Sequence, residues 1–258
     1  MAVPITAGID IGSLSTEVVI LQGDKVLSYS IQPTGANGYR AAETAMDIAL
    51  EKAGLSLGDI AGCVATGYGR INAPYTDKRV TEITCHARGA HFLFPETRTI
   101  IDIGGQDSKV IQVNKAGKVV DFVMNDKCAA GTGRFLEVMA RALEVDLEDM
   151  GPLGERSRKK LVISSMCTVF AESEVVSLIA RGEAKHDIIR AIHDAVAERV
   201  YGQVERIGNI APITMTGGVA KNIGVVNSLN RLLGVRMNLP EEPQIIGALG
   251  AALIAAGI

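Results

Sequence analysis

The feature that most constrains this chain is an internal repeat. Ile9-Asp10-Ile11-Gly12 runs on to Thr16 and Val18-Val19-Ile20, and Ile101-Asp102-Ile103-Gly104 runs on to Ser108 and Val110-Ile111. Ile, Asp, Ile, Gly and the first Val recur in register, and Thr16 is answered by Ser108. Each copy then meets a turn, at Gly23-Asp24-Lys25 and Lys115-Ala116-Gly117-Lys118, before another apolar run. The pattern predicts two β-hairpins, each with a small polar tip behind an aspartate. A duplicated hairpin implies two similar subdomains whose tips can face each other across a cleft. An aspartate followed by glycine and small hydroxyl residues suits a polyphosphate with its metal. The carboxylate holds hydrated Mg²⁺, and glycine lets backbone N–H groups approach the phosphate.

Composition narrows the surroundings of that cleft. The 258 residues suffice for two lobes, and 47% hydrophobic content with 4% aromatic and no Trp predicts a closely packed α/β protein rather than a β-sandwich. A net charge of −3 and the absence of aromatic stacking platforms argue against nucleic acid. No basic region followed by an apolar run opens the chain, so no secretory signal is read. The most apolar segment, 245–258, is too short to span a bilayer and reads as a buried C-terminal helix. A cytoplasmic protein with no membrane partner is expected, in which four cysteines are thiols, metal ligands or nucleophiles rather than disulfides.

Periodicity places helices at 38–53, 82–92 and 169–179, with a long amphipathic one at 188–207 and another starting near Asn222. Strands are expected at 60–65, 161–164 and 213–215. The alternation predicts a two-lobed α/β fold. The lobes are read as 1–97 and 98–244, divided near Pro95, with helix 245–258 packing back on the first.

The turns carry the expected chemistry. Gly12, Ser13, Ser15 and Thr16 at the first tip, and Gly104, Gly105 and Lys109 at the second, are read as nucleotide-binding. Asp10, Asp102, Gln106 and Asp107 are read as catalytic, with Gln106 orienting a water and a carboxylate holding Mg²⁺ or acting as base. Gly131-Thr132-Gly133 opens a helix and reads as an anion site. Gly217, Gly218, Val219 and Asn222 lie between a strand and a helix, where paired glycines let backbone pass a flat ligand such as adenine. His86, His91, His186 and His193 form no ligand pattern and read as surface or helix histidines. Glu155 to Lys160, rich in basic residues, reads as a solvated face.

Cys128 and Cys167 are each flanked by small or polar residues and are expected directly before a helix, where the dipole favours a thiolate. Either a nucleophile or a metal ligand fits. Two thiolates do not complete a four-thiolate iron–sulfur site, whereas a twofold dimer supplies four. Cys63 in a strand and Cys85 in a helix beside His86 read as core or incidental.

The stretches GIDIGS, ATGYGR, IDIGGQDSKV, NDKCAAGTGRF, SSMCTVFAESEV and MTGGVAKN make the chain resemble the ATP-dependent activators (activases) of 2-hydroxyacyl-CoA dehydratases, a family that includes ATPase subunits of benzoyl-CoA reductase. The resemblance covers essentially the whole chain. It implies an actin-like ATPase fold of the acetate kinase–sugar kinase–Hsp70–actin superfamily, with ribonuclease H-like duplicated lobes. It also implies a homodimer with one [4Fe-4S] cluster held by Cys128 and Cys167 of both copies, and MgATP (leaving as ADP) between the lobes. An electron would come from a donor such as ferredoxin or flavodoxin and pass to a cluster-containing dehydratase- or reductase-type partner. The alternatives are a small-molecule kinase of the same superfamily, an ATPase subunit for an aryl-CoA reductase or other dehydratase-like iron–sulfur protein, and a nucleotide sensor or Hsp70-like scaffold.

Overall fold

The computed structural model describes residues 3–164 and 167–258. Its first sheet is built from β1 (Ile5–Ile11), β2 (Ser15–Gln22), β3 (Lys25–Pro33), β4 (Ile60–Thr66) and the two-residue β5 (Lys78–Arg79). Helix α1 (Gly38–Ala53) lies between β3 and β4, and α2 (Glu82–Leu93) follows β5. The second sheet uses β6 (Thr99–Ile103), β7 (Ser108–Val113), β8 (Val119–Asn125) and β9 (Ile213–Thr216). Between β8 and β9 come α3 (Gly133–Leu143), α4 (Met150–Gly154), α5 (Thr168–Ala180) and α6 (Lys185–Ile207). Helices α7 (Ile223–Leu233) and α8 (Ile246–Ala255) complete the order.

The repeat is visible in the topology. The strand orders are β3-β2-β1-β4-β5 and β8-β7-β6-β9. In each, an antiparallel hairpin is extended by a parallel strand beside its first member: β4 on β1, β9 on β6. β1, β2, β6 and β7 are buried along nearly their whole length, as strands covered on both faces are.

α2 and α8 lie between the sheets. Ile83 and Ala87 of α2 and Leu249 and Leu253 of α8 share one apolar cluster with Val19 and Leu21 of β2, Ile100 of β6 and Ile111 of β7. The approach is at backbone contact. A Cβ at Gly8 of β1 would run into the Ala248 carbonyl oxygen, and one at Gly250 would run into the Cys85 carbonyl oxygen.

Two expectations are corrected. Residues 161–164 form no strand; this short run is tied instead to α5, where the Glu174 carboxylate accepts the Ser164 backbone N–H at 3.1 Å. Cys128 does not open a helix. α3 begins only at Gly133, because Gly131 adopts φ +82° and Thr132 turns its N–H and Oγ1 back to the Ala129 carbonyl. Cys167 is the residue preceding α5, as expected, while Ser165 and Met166 lie outside the described residues.

Candidate nucleotide site and cysteine-bearing loops

A cavity of about 580 Å³ opens between the two hairpin tips. Its floor repeats the duplication. Asp10, near the end of β1, is flanked by Glu17 of β2 and Thr66 of β4; Asp102 of β6 is flanked by Lys109 of β7 and Thr216 of β9. Each parallel strand is followed directly by a glycine with positive φ, +80° at Gly67 and +84° at Gly217. A Cβ at Gly67 would strike Asp10, and one at Gly217 would stand 2.8 Å from Asp102 Oδ1. Both positions therefore need glycine for conformation and for space. The tips meet where the Leu14 side chain covers Gly105, within 2.6 Å of where a Cβ on Gly105 would reach its Cγ.

Lys109, 4% exposed, bonds Asp102 Oδ2 at 3.2 Å and Asp107 Oδ2 at 2.8 Å. Thr216 Oγ1 donates to Asp102 Oδ1 at 3.0 Å. His86 of α2 lies between the two aspartates, Nε2 3.9 Å from Asp10 and Nδ1 3.4 Å from Asp102. Burial raises the Asp10 carboxyl to about 6, although His86 and Lys109 oppose it. Burial also raises Asp102, but His86, Lys109 and the Thr216 bond outweigh it and hold Asp102 below the usual range. Burial carries Glu17 well above its ordinary value and raises Asp107, against the pull of Lys109. In the second half His86, Lys109 and Thr216 thus compensate Asp102, while the Asp10–Glu17 half leaves negative charge without enough compensation.

Most of the residues read from the sequence meet here. Asp10, Gly12, Ser13, Ser15, Asp102, Gly104, Gly105, Asp107, Lys109, Gly133, Gly217, Gly218, Val219 and Asn222 all line the cavity. Four do not. Thr16 is buried with its hydroxyl on Thr34 at 2.8 Å. Thr132 is buried on Ala129, and Gly131 faces a second cavity. Gln106 is exposed at the tip, outside the lining. Gln106→Ala should therefore leave ATP turnover within about threefold of wild type, less than the 10²–10⁴ typical of a general acid–base group; a larger loss in a steady-state phosphate-release assay would return Gln106 to the reaction.

Sequence reasoning missed Glu17, His86 and Gln244, all of which line the cavity. His86 is a helix histidine, in α2, but it is buried and central, and no motif around it announces this. Glu17 had a signal: it occupies in the first hairpin the register position that Lys109 holds in the second.

The four thiols divide two and two. Cys63 and Cys85 are buried, and burial pushes both thiols up to about 12. Cys128 is half-buried and Cys167 exposed. The second cavity, about 510 Å³, is lined by Asn125–Lys127 beside Cys128 and by residues 162–164 before Cys167, against α6. Around Cys167, Val162, Val169 and Phe170 are each 67% exposed.

Comparison with known proteins agrees with this geometry. The model of the BadF/BadG/BcrA/BcrD ATPase family matches residues 7–255. The chain belongs to that family. It is 49% identical over 251 residues to the activator of lactoyl-CoA dehydratase of Anaerotignum propionicum, covering 97% of this chain and 96% of that one. Among solved structures it is similar to the activator of the 2-hydroxyisocaproyl-CoA dehydratase from Clostridium difficile with bound ADPNP, with a TM-score of 0.95, 46% identity and coverage of 98% and 94%. A glucokinase of the ROK family from Streptomyces griseus, 14% identical at a TM-score of 0.59 over 98% of this chain and 100% of that one, shares the fold. The fold is thus the two-lobed α/β architecture of actin-like ATPases and sugar kinases.

Proposed function

We propose that this protein is an ATP-hydrolysing electron-transfer activase for a 2-hydroxyacyl-CoA dehydratase or a related iron–sulfur enzyme. The observation that carries the reading is the pairing of a two-tipped phosphate cavity with two non-core cysteines on loops that share a second cavity. The family and the named activators at 46–49% identity support it. Residues 1–97 with 245–258 form one lobe in this reading, and 98–244 the other.

The residues fit Mg²⁺. Asp10 and Glu17 are buried carboxylates short of positive charge, which a divalent ion would balance. They fit a cluster as well, since Cys128 is half-buried and Cys167 exposed where Cys63 and Cys85 are buried, and two copies supply four such thiols. When bound, the cluster supplies a one-electron centre. The exposed Val162, Val169 and Phe170 around Cys167 suit burial against a second copy. Within the chain, the glycines at 12, 104, 105, 217 and 218 let backbone amides reach the nucleotide, and Lys109 holds Asp102 and Asp107 in place. A ferredoxin- or flavodoxin-type donor supplies the electron.

The test is anaerobic redox titration of the loaded protein without nucleotide, with ADP and with a non-hydrolysable ATP analogue. If nucleotide binding is converted into reducing power, the midpoints should differ by about 60 mV or more, a tenfold change in equilibrium for one electron. Identical midpoints in all three states, together with identical rates of iron chelation, would refute the activase reading.

A further inference from the structure

The loop that carries Cys128 is clamped at both ends to the second hairpin tip. At its start, Asn125 is the cross-strand partner of Ser108, the residue after Asp107. At its end, the N–H groups of Gly133 and Arg134 donate to the carbonyl oxygens of Gly104 and Gly105 at 2.9 and 2.8 Å. Gly104, Gly105 and Asp107 line the nucleotide cavity, so residues 126–132 hang from the wall that faces the phosphate end. Inside the loop, the Asn125 amide gathers the chain: Nδ2 donates to the Cys128 carbonyl at 2.7 Å and to the Ala130 carbonyl at 3.2 Å, and Oδ1 accepts the Cys128 N–H at 3.2 Å. Ser108 is fixed from behind by Gln203 of α6, whose Nε2 donates to its hydroxyl at 2.8 Å.

We infer that Asn125 is the positioning residue that transmits movement of the 104–108 tip to Cys128. Three bonds from one side chain fix the backbone on both sides of the thiol, and that side chain stands on the strand residue paired to the tip. A displacement of the tip therefore carries the Cys128 backbone with it, whereas without Asn125 the seven-residue loop would be held only at its ends and could absorb the displacement internally. Coupling here travels through a two-strand register and one amide, not through a helix start.

This inference rests on the nucleotide-binding part of the proposed function, and its test does not need the cluster. The probe is iodoacetamide alkylation of cluster-free full-length protein, with Cys128 and Cys63 read separately by peptide mass spectrometry. Samples carry no nucleotide, MgADP, or Mg²⁺ with a non-hydrolysable ATP analogue. In wild type the Cys128 rate should change at least about fivefold between nucleotide states. In Asn125→Ala the Cys128 rate should rise and its nucleotide dependence should shrink to within about twofold, while the affinity for the analogue stays within about threefold. A merely structural role would raise the rate but keep the dependence. A wild-type-sized dependence in Asn125→Ala overturns the inference, as does a wild-type Cys128 rate that ignores bound nucleotide. If Asn125→Ala makes the buried Cys63 reactive, Asn125→Asp decides by the same criterion, because it keeps the accepting oxygen and loses both donated bonds. Iron content of the anaerobically made wild type is measured alongside: its absence sinks the cluster reading and leaves the alkylation result standing on its own.

Discussion

Asp10→Asn should make the metal-free protein more stable and nearly inactive. In the folded state burial lifts the Asp10 carboxyl to about 6, above its value in the unfolded chain. A raised carboxyl pKa favours the protonated form on folding, so the contribution is fully present at low pH and is lost as pH climbs from about 4 through about 6. Above that window the ionised group costs roughly two pH units at about 1.4 kcal/mol each, on the order of 3 kcal/mol. Asparagine removes the charge and keeps the shape. At pH 7.5 its midpoint without metal should rise by several degrees, about 2–4 °C per kcal/mol for a chain of this size. The gain should fade towards pH 4.5. Saturating Mg²⁺ and ATP analogue should reverse the order, because only the wild type keeps the carboxylate that meets the cation. Turnover should drop by at least about 10²-fold. Calorimetry at two pH values and a phosphate-release assay check both halves. A variant that is less stable at pH 7.5 contradicts the burial cost, and one that turns over within tenfold of wild type contradicts a role for Asp10 at the metal.

Much of this site was legible because duplication leaves a written record. Asp10 and Asp102, the two tips and the strand–glycine turn after β9 follow from aligned residues and from hairpin chemistry. The record went further than the reading did. Thr66-Gly67 and Thr216-Gly217 are one feature in two copies, each set beside its aspartate by the parallel strand. Glu17 and Lys109 are a second such pair, a carboxylate in one copy and an ammonium in the other. His86 was not legible. It reaches both aspartates only because α2 is drawn between the sheets at glycine contact with α8, a long-range outcome that no local pattern encodes. The distance from Cys128 to the start of α3 was misread for a local reason. Ala129-Ala130-Gly131-Thr132 has the small residues of a helix N-terminus, yet the positive φ at Gly131 turns the chain once more before the helix begins. That one turn moves Cys128 off the helix dipole and onto a loop held by Asn125.

Cys128→Ser and Cys167→Ser should each abolish iron binding, while Cys63→Ala should retain it. The contrast comes from the chemistry of the four sites. A ligand must reach metal as a thiolate. Burial pushes the Cys63 and Cys85 thiols up to about 12 and packs both into strand or helix core, so neither can serve. Cys128 sits half-buried on its clamped loop, and Cys167 is exposed as the residue before α5, free to face a second copy. One chain offers two such thiols and a four-thiolate site needs four, so iron, dimerisation and both cysteines must stand or fall together. Protein prepared anaerobically should therefore be brown and hold about four Fe per dimer. Phe170→Asp, which places a charge on the exposed apolar surface of α5 and leaves both thiols intact, should shift the protein to monomer and lose the iron as well. ADP affinity should stay within about threefold in all these variants, because none of the altered residues lines the nucleotide cavity. Iron assay, sedimentation and nucleotide titration on the same samples separate the outcomes. Iron retained by both serine variants refutes the ligand assignment, and a Phe170→Asp monomer that keeps a full complement of iron refutes the cluster shared between two copies.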